Sequence, residues 1–245
     1  MQYLGGKSRL SKPISEIINK YSKDKTFVSL FCGSCAIEAK VEAKNKILND
    51  SHEYLIAMFK AIQNDWKIPE VISKEEYERV KNNRDENKAL TGFVGFACSF
   101  GGKWFGGYAH LKNYAEKNYA AYSRNSLLRK MKGLRDSNFT CLDYRRVEIP
   151  VGSIVYCDPP YEGTTRYSNS KEFSHVDFWE YMREISKNNL VFVSEYNAPD
   201  DFTCVWEKVQ TTKMDARKKE NIFVSVDKVF VHKTNLDKIH NLFIK

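Results

Sequence analysis

Short apolar runs alternate with amphipathic stretches along this chain. Apolar runs bounded by turn-forming residues are typical of buried strands, whereas apolar positions three or four residues apart indicate helices. The predicted strands cover residues 26–31, 46–48, 139–142, 153–157 and 190–194, and two or three more fall within 202–231. The predicted helices cover residues 11–23, 36–43, 126–135 and 177–187, and the charged stretch 51–90 also has a helical pattern.

The order of these elements predicts the fold class. Strands that alternate with helices are typical of an α/β protein, with a mostly parallel sheet and helices on both faces. The stretch 55–135 interrupts the alternation, so we interpret it as an inserted helical lobe. The predicted division is therefore one domain built from residues 1–54 and 136–245, with a lobe at 55–135.

Charge and apolar content narrow the class of protein. Among 245 residues, Lys and Arg number 39 and Asp and Glu 31, which gives a formal net charge of +8. A basic balance favours a polyanionic partner such as nucleic acid. Neither a membrane-spanning run nor a signal peptide is apparent, so we expect a cytoplasmic protein with reduced cysteines and no membrane partner. The five histidines show no metal-ligand spacing, so no metal is expected.

The strongest chemical feature follows the apolar run 153–157. Residues Asp158–Tyr161 read Asp-Pro-Pro-Tyr, and the two prolines remove backbone donors and fix φ, so the strand must end in a rigid loop. Ligands of open α/β sheets bind at this edge. Asp158 and the carbonyl of Pro159 offer two acceptors for the hydrogens of an amino group, and Tyr161 offers a flat face to a base outside the duplex. A plain turn after a buried strand is the alternative interpretation.

A second loop follows the first predicted strand. Residues Cys32–Cys35 read Cys-Gly-Ser-Cys, in the place of a nucleotide-binding loop, and Asp50 ends the next strand near the spacing of a ribose-binding acid. A Cys-x-x-Cys pair in this place is also compatible with a thiol redox site or half of a zinc site.

Taken together, these motifs resemble the Dam-like DNA adenine methyltransferases, in particular the phage-type group, over nearly the whole chain. The resemblance implies a Rossmann-like methyltransferase sheet with a helical DNA-recognition lobe, and S-adenosylmethionine as cofactor. The residues that it assigns to the cofactor are Tyr3, Lys7, Phe31, Gly33, Asp50, Asp143, Tyr144 and Asp158. Cys35 is a departure, because the family usually has a second small glycine there, and a cysteine constrains the backbone more.

The resemblance also implies the reaction. A methyl group would pass to the exocyclic amino group of adenine in DNA, on a flipped-out base in a short recognition sequence, with Asp158, Pro159 and Tyr161 as catalytic residues. Amino-group methylation of cytosine, methylation of adenine in RNA, and a DNA-binding relative with weakened catalysis stay open as alternatives. An initial Asp158 favours adenine, because cytosine-directed relatives usually begin this loop with Ser. The biological role, whether restriction–modification, phage protection or regulation, also stays open.

Double-stranded DNA is the expected partner, of a monomer in a bacterial or phage-infected cell. The glycine-rich and aromatic segment 99–108 lies where relatives place a DNA-contacting hairpin. Basic residues on the helix that follows, Lys130 among them, could equally form a solvated face. The candidate DNA-binding residues are Lys103, Trp104, Tyr108, Lys112, Arg124, Arg166 and Lys218.

Overall fold

The structure, a computed structural model, describes residues 1–109, 118–162, 173–213 and 222–242. These residues form two compact units, Met1–Glu148 and Ile149–Lys245. Among the candidate residues, Lys112, Arg166 and Lys218 lie outside the described ranges.

The first unit contains three parallel strands. They are β1 (Thr26–Ser29), β2 (Asn45–Asn49) and β3 (Asn138–Thr140), in the order β3-β2-β1. Each overlaps a predicted apolar run, although β3 begins and ends earlier than the predicted 139–142, and Phe27, Val28 and Leu48 are fully buried. Their parallel pairing brings the carboxyl ends of β1 and β2 to one edge, which is where the loop 32–35 and Asp50 begin.

Five α-helices lie among the described residues of the first unit. They are α1 (Ser11–Ser22), α2 (Glu53–Gln63), α3 (Lys74–Asn82), α4 (Lys88–Gly92) and α5 (Tyr119–Met131), with a short π-helical turn at Phe93–Ala97. Phe59 of α2 stacks on Phe139 of β3, with ring centroids 5.1 Å apart and an interplanar angle of 9°.

The predicted helix 36–43 is wrong. Only a single 3₁₀ turn forms there, at Glu38–Lys40, and the chain is extended from Val41. The Asn19 side chain of α1 accepts a hydrogen bond from the N–H of Glu42 (2.8 Å) and donates to the carbonyl of Lys40 (3.1 Å). These contacts satisfy backbone groups that a helix would otherwise pair, so tertiary structure overrides the local helical pattern.

The second unit contains four strands and one α-helix among its described residues. They are β4 (Ile154–Cys157), α6 (His175–Ser186), β5 (Leu190–Glu195), β6 (Phe202–Lys213) and β7 (Ile222–His232). β4 pairs with β5 in parallel, whereas β7 pairs with both β5 and β6 in antiparallel, giving the order β4-β5-β7-β6. The parallel pairs of both units, with helices between strands in sequence, confirm the predicted Rossmann-like α/β class.

Candidate active site

The loop after β1 is a tight turn that backbone hydrogen bonds hold in place. The N–H of Cys32 donates to the carbonyl of Asn49 (2.8 Å), and the N–H of Cys35 donates to the carbonyl of Cys32 (2.8 Å). Gly33 has φ +45°, and a Cβ there would come within 3.3 Å of the Tyr3 ring. Cys35 has φ +52°, so a non-glycine residue takes the left-handed conformation here.

Asp50 ties this loop to the end of β2. One carboxylate oxygen accepts the N–H of Gly33 (2.9 Å), and the other accepts the N–H of His52 (2.9 Å). Burial raises the pKa of Asp50, while the two N–H donors act in the opposite direction. The loop and Asp50 are thus joined by a hydrogen bond, and each oxygen of the carboxylate keeps a lone pair for a further donor.

Asn49, the residue before this acid, was not assigned a role from the sequence. Its amide donates to the carbonyls of Leu30 (3.1 Å) and Leu142 (3.0 Å), and its oxygen accepts from the N–H of Leu142 and the hydroxyl of Thr140. Only 1% of Asn49 is exposed. It therefore fixes the ends of all three strands of the first unit relative to one another.

Three more candidate residues lie close to the strand ends that Asn49 joins. The rings of Phe31 and Tyr144 lie 5.2 Å apart, with an interplanar angle of 36°. The Asp143 carboxylate accepts two hydrogen bonds from the guanidinium of Arg145, each 2.9 Å, and this partner lowers the pKa of Asp143. The structure thus brings Phe31, Asp143 and Tyr144 close to the strand ends that carry Gly33 and Asp50.

The N-terminal motif reaches the same loop through Tyr3. The Tyr3 ring lies beside Gly33 and 5.0 Å from the ring of Phe96, and the N–H of Leu4 donates to the carbonyl of Gly102 (3.2 Å). Lys7 is half-buried one turn before α1, where its carbonyl accepts the N–H of Leu10. The segment 1–7 therefore packs on the glycine-rich turn at 99–108, a contact that the sequence did not reveal.

Lys130 is a further residue whose role the sequence did not reveal. Its ammonium donates to the carbonyl of Ser34 (2.5 Å), and burial lowers its pKa. A residue of the basic helix therefore holds the loop after β1 instead of facing solvent.

The Cys32 and Cys35 thiols are buried and have raised pKa values, chiefly because burial disfavours the thiolate. A thiol redox site requires the opposite shift. The redox interpretation of this segment therefore lacks physical support.

The candidate DNA-binding residues in the described part of the chain differ in their surroundings. Lys103 is exposed. The half-buried Trp104 packs against His52, with centroids 4.4 Å apart. The hydroxyl of Tyr108 donates to the carbonyl of Ile72 (2.6 Å). Arg124 forms an ion pair with Glu70 at 3.3 Å.

Another residue of this segment, Phe100, was not among the candidates. It is 69% exposed beside the antiparallel bridge of Ser99 and Tyr108, where its N–H donates to the carbonyl of Gly107 (2.9 Å). Large exposed aromatic rings are uncommon, so exposure is the structural signal that distinguishes Phe100 from the packed rings nearby.

In the second unit, the Asp-Pro-Pro-Tyr loop leaves the fully buried strand β4, as predicted. Asp158 is half-buried and Pro159 is buried. The Tyr161 ring meets the Tyr196 ring edge to face, with centroids 4.6 Å apart at 88°. Burial, and next the charge of Asp158, raise the pKa of Tyr161, so its hydroxyl stays neutral.

Neither a metal site nor a membrane-spanning helix is found among the described residues. No group of three or more His, Cys, Asp or Glu side chains there is arranged to hold a metal ion. Within the same ranges, every helix is too short or too polar to cross a membrane.

Comparisons with known proteins cover most of the chain. The family model for D12 class N6 adenine-specific DNA methyltransferases matches residues 3–92 and 106–202. The type II methyltransferase M.MjaIII of Methanocaldococcus jannaschii is 25% identical over 274 residues, which cover 90% of this chain and 92% of that protein. The type II methyltransferase M.FokI of Planomicrobium okeanokoites is 25% identical over 210 residues, which cover 76% of this chain but only 32% of that protein.

Among solved structures, the rRNA methyltransferase AviRa of Streptomyces viridochromogenes aligns with a TM-score of 0.43 and 12% identity, over 95% of this chain and 87% of that one. The family match extends from the N-terminal motif, through the loop after β1, to the segment after β5. The chain therefore belongs to the D12 class N6 adenine-specific DNA methyltransferase family, whose methyl donor is S-adenosylmethionine.

Proposed function

We propose that this protein methylates the exocyclic amino nitrogen of adenine in double-stranded DNA, within a short recognition sequence and on a base rotated out of the duplex. One observation carries the proposal. The family match includes an Asp-Pro-Pro-Tyr loop that directly follows a fully buried strand, where rigid acceptors serve amino-group chemistry.

The residues of the first unit fit S-adenosylmethionine. The Asp50 carboxylate suits a pair of ribose hydroxyls, and its bond to Gly33 keeps the loop open to a close ligand. The aromatic faces of Phe31 and Tyr144 suit a flat adenine ring, beside the polar Asp143. Tyr3 and Lys7 are assigned to the methionine end by their motif. When bound, the cofactor supplies an electrophilic methyl group on a sulfonium.

The loop Asp158–Tyr161 would prepare the target nitrogen. The lone pair of an adenine amino group is conjugated with the ring, so the nitrogen is a poor nucleophile. The Asp158 carboxylate and the Pro159 carbonyl would accept its two hydrogens and hold the nitrogen for attack. The Tyr161 ring would stack on the extruded base while Tyr196 meets it edge to face. Pro159 and Pro160 keep the acceptors rigid, so little reorganisation is needed.

DNA contact is assigned to the helical stretch 55–135 and to basic residues beyond it. In the glycine-rich turn, the exposed Phe100 and Lys103 suit stacking and phosphate contact, whereas Trp104 and Tyr108 would support the turn from inside. Arg124, Lys112, Arg166 and Lys218 remain proposed phosphate contacts.

A transfer assay tests the proposal. The protein is incubated with methyl-labelled S-adenosylmethionine and unmethylated duplex DNA, and the digested nucleosides are separated. We expect the label in N6-methyl-2′-deoxyadenosine, and we expect Asp158→Ala to abolish transfer while cofactor affinity, measured by calorimetry, stays near that of the wild type. Label in cytosine, or full transfer by Asp158→Ala, would refute the proposal.

A further inference from the structure

Glu195 is a buried carboxylate at the carboxyl end of β5, and it has no part in the methyl transfer proposed above. Only 2% of its surface is exposed. Burial raises the pKa of Glu195, and the nearby carboxylates of Glu162 and Asp158 act in the same direction. A buried carboxylate is costly unless it is well hydrogen-bonded, so its partners show what it stabilises.

Both carboxylate oxygens of Glu195 accept hydrogen bonds from backbone N–H groups. Oε1 accepts the N–H of Glu162 (2.9 Å), and Oε2 accepts the N–H of Tyr196 (2.6 Å). Glu162 is the residue directly after Tyr161. One carboxylate therefore links the end of the Asp-Pro-Pro-Tyr loop to the end of the neighbouring strand β5.

The same two backbone positions adjoin an aromatic pair. The rings of Tyr161 and Tyr196 meet edge to face, with centroids 4.6 Å apart. Tyr161 precedes the first anchored residue, and Tyr196 is the second. Glu195 thus restrains the main chain on both sides of the ring assigned to the target base.

We propose that Glu195 is a positioning residue for the reaction, which acts through Tyr161 by fixing the backbone of Glu162 and Tyr196. This inference rests on the proposed adenine methylation. Glu195 needs no contact with the base or the cofactor in this role. Its effect should therefore appear in the transfer rate and in base stacking, and not in cofactor affinity.

Glu195→Gln is the sharpest test, because it keeps the shape of the side chain but replaces one acceptor oxygen by a donor NH₂. A donor facing a backbone N–H cannot pair with it. At saturating DNA and cofactor, we expect the single-turnover rate to fall about tenfold, which corresponds to the loss of one charge-assisted hydrogen bond. We expect the Kd for S-adenosylmethionine to stay unchanged.

A spectroscopic measurement separates positioning from a general loss of structure. With 2-aminopurine at the target adenine, stacking on Tyr161 should quench the fluorescence in the wild-type complex, and Glu195→Gln should be brighter. Glu195→Asp, which keeps the charge but shortens the side chain, should lie between the two. Glu207→Gln, at an exposed position of β6, serves as the matched control and should behave as wild type.

The outcomes distinguish this inference from the proposed function. If wild-type protein methylates no adenine, the proposed function fails and this inference fails with it. If wild-type protein methylates adenine and Glu195→Gln matches it in rate and fluorescence, only the role of Glu195 is refuted. The positioning role would also be refuted if Glu195→Gln weakened S-adenosylmethionine binding by the same factor as it lowered the transfer rate.

Discussion

At the scale of single residues, Asn49 supports the cofactor side of the site without any need to touch a ligand. It is buried and makes four hydrogen bonds, three of them to backbone groups of Leu30 and Leu142. Replacement by alanine removes this partner from those backbone groups, and the Leu30 carbonyl among them is buried. The cost of a buried unsatisfied polar group exceeds the net value of a hydrogen bond.

We therefore predict that Asn49→Ala lowers the free energy of unfolding by about 3 kcal/mol, as urea denaturation would measure. Asn45→Ala is the matched control, because Asn45 begins the same strand but is exposed. Equal stability of the two variants would contradict the role given to Asn49.

His52 predicts a pH dependence. Burial lowers the pKa of its imidazole to about 4, against about 6.5 for an unperturbed histidine. The unfolded chain therefore binds the proton more readily, and the stability contributed by neutral His52 is lost as pH falls from about 6.5 to about 4. His52→Phe removes the titratable imidazole but keeps an aromatic ring next to Phe96 and Trp104.

The measurement is urea denaturation of both proteins at about pH 7.5 and about pH 4.5. Wild type should lose more stability than His52→Phe over this interval. The same loss in both proteins would show that His52 does not titrate as described.

At the scale of elements, α5 connects to the loop after β1 through Lys130. Loss of its bond to the Ser34 carbonyl should loosen the loop, so we predict that Lys130→Met weakens S-adenosylmethionine binding about tenfold, as calorimetry would measure. Lys132→Met is the control, since Lys132 is exposed at the end of the same helix. If Lys130→Met and Lys132→Met bind S-adenosylmethionine with the same affinity, Lys130 does not hold the loop.

The glycine-rich turn gives a second test at this scale. Gly101 and Gly102 both have positive φ (+63° and +70°), but only at Gly102 would a Cβ clash, 2.4 Å from the Tyr3 nitrogen. Gly101→Ala should cost only the left-handed strain of about 1 kcal/mol. Gly102→Ala should also displace Tyr3 and weaken cofactor binding, and calorimetry of both variants checks this. Matched affinities would argue against the packing of segment 1–7 on this turn.

The elements also show what a single sequence can predict. The strands β1 and β4 were predictable because each is a short, continuous apolar run bounded by turn-forming residues. The absence of a helix at 36–43 was not predictable, because the side chain of Asn19, about twenty positions earlier, forms hydrogen bonds with the backbone of this segment. Lys130 and Glu195 escaped prediction for a related reason. The partner of Lys130 is a backbone group 96 positions away, and one of the two partners of Glu195 is a backbone group 33 positions away; backbone groups carry no sequence signal.

At the scale of the whole molecule, the formal net charge of +8 and the family match point to the same partner. Charge alone favours any polyanion, and the Asp-Pro-Pro-Tyr loop alone indicates only amino-group chemistry. Their combination in one chain supports adenine in DNA as the target. The recognition sequence depends on side chains that read base edges, so a direct measurement must identify it.

The central claim is tested most directly by methylation-sensitive sequencing of DNA from cells that express the protein, with Asp158→Ala as the inactive control. We predict N6-methyladenine at one short sequence motif in the wild-type sample, and its absence in the control. Unmodified adenine in both samples, or methylation in the Asp158→Ala sample, would contradict the claim.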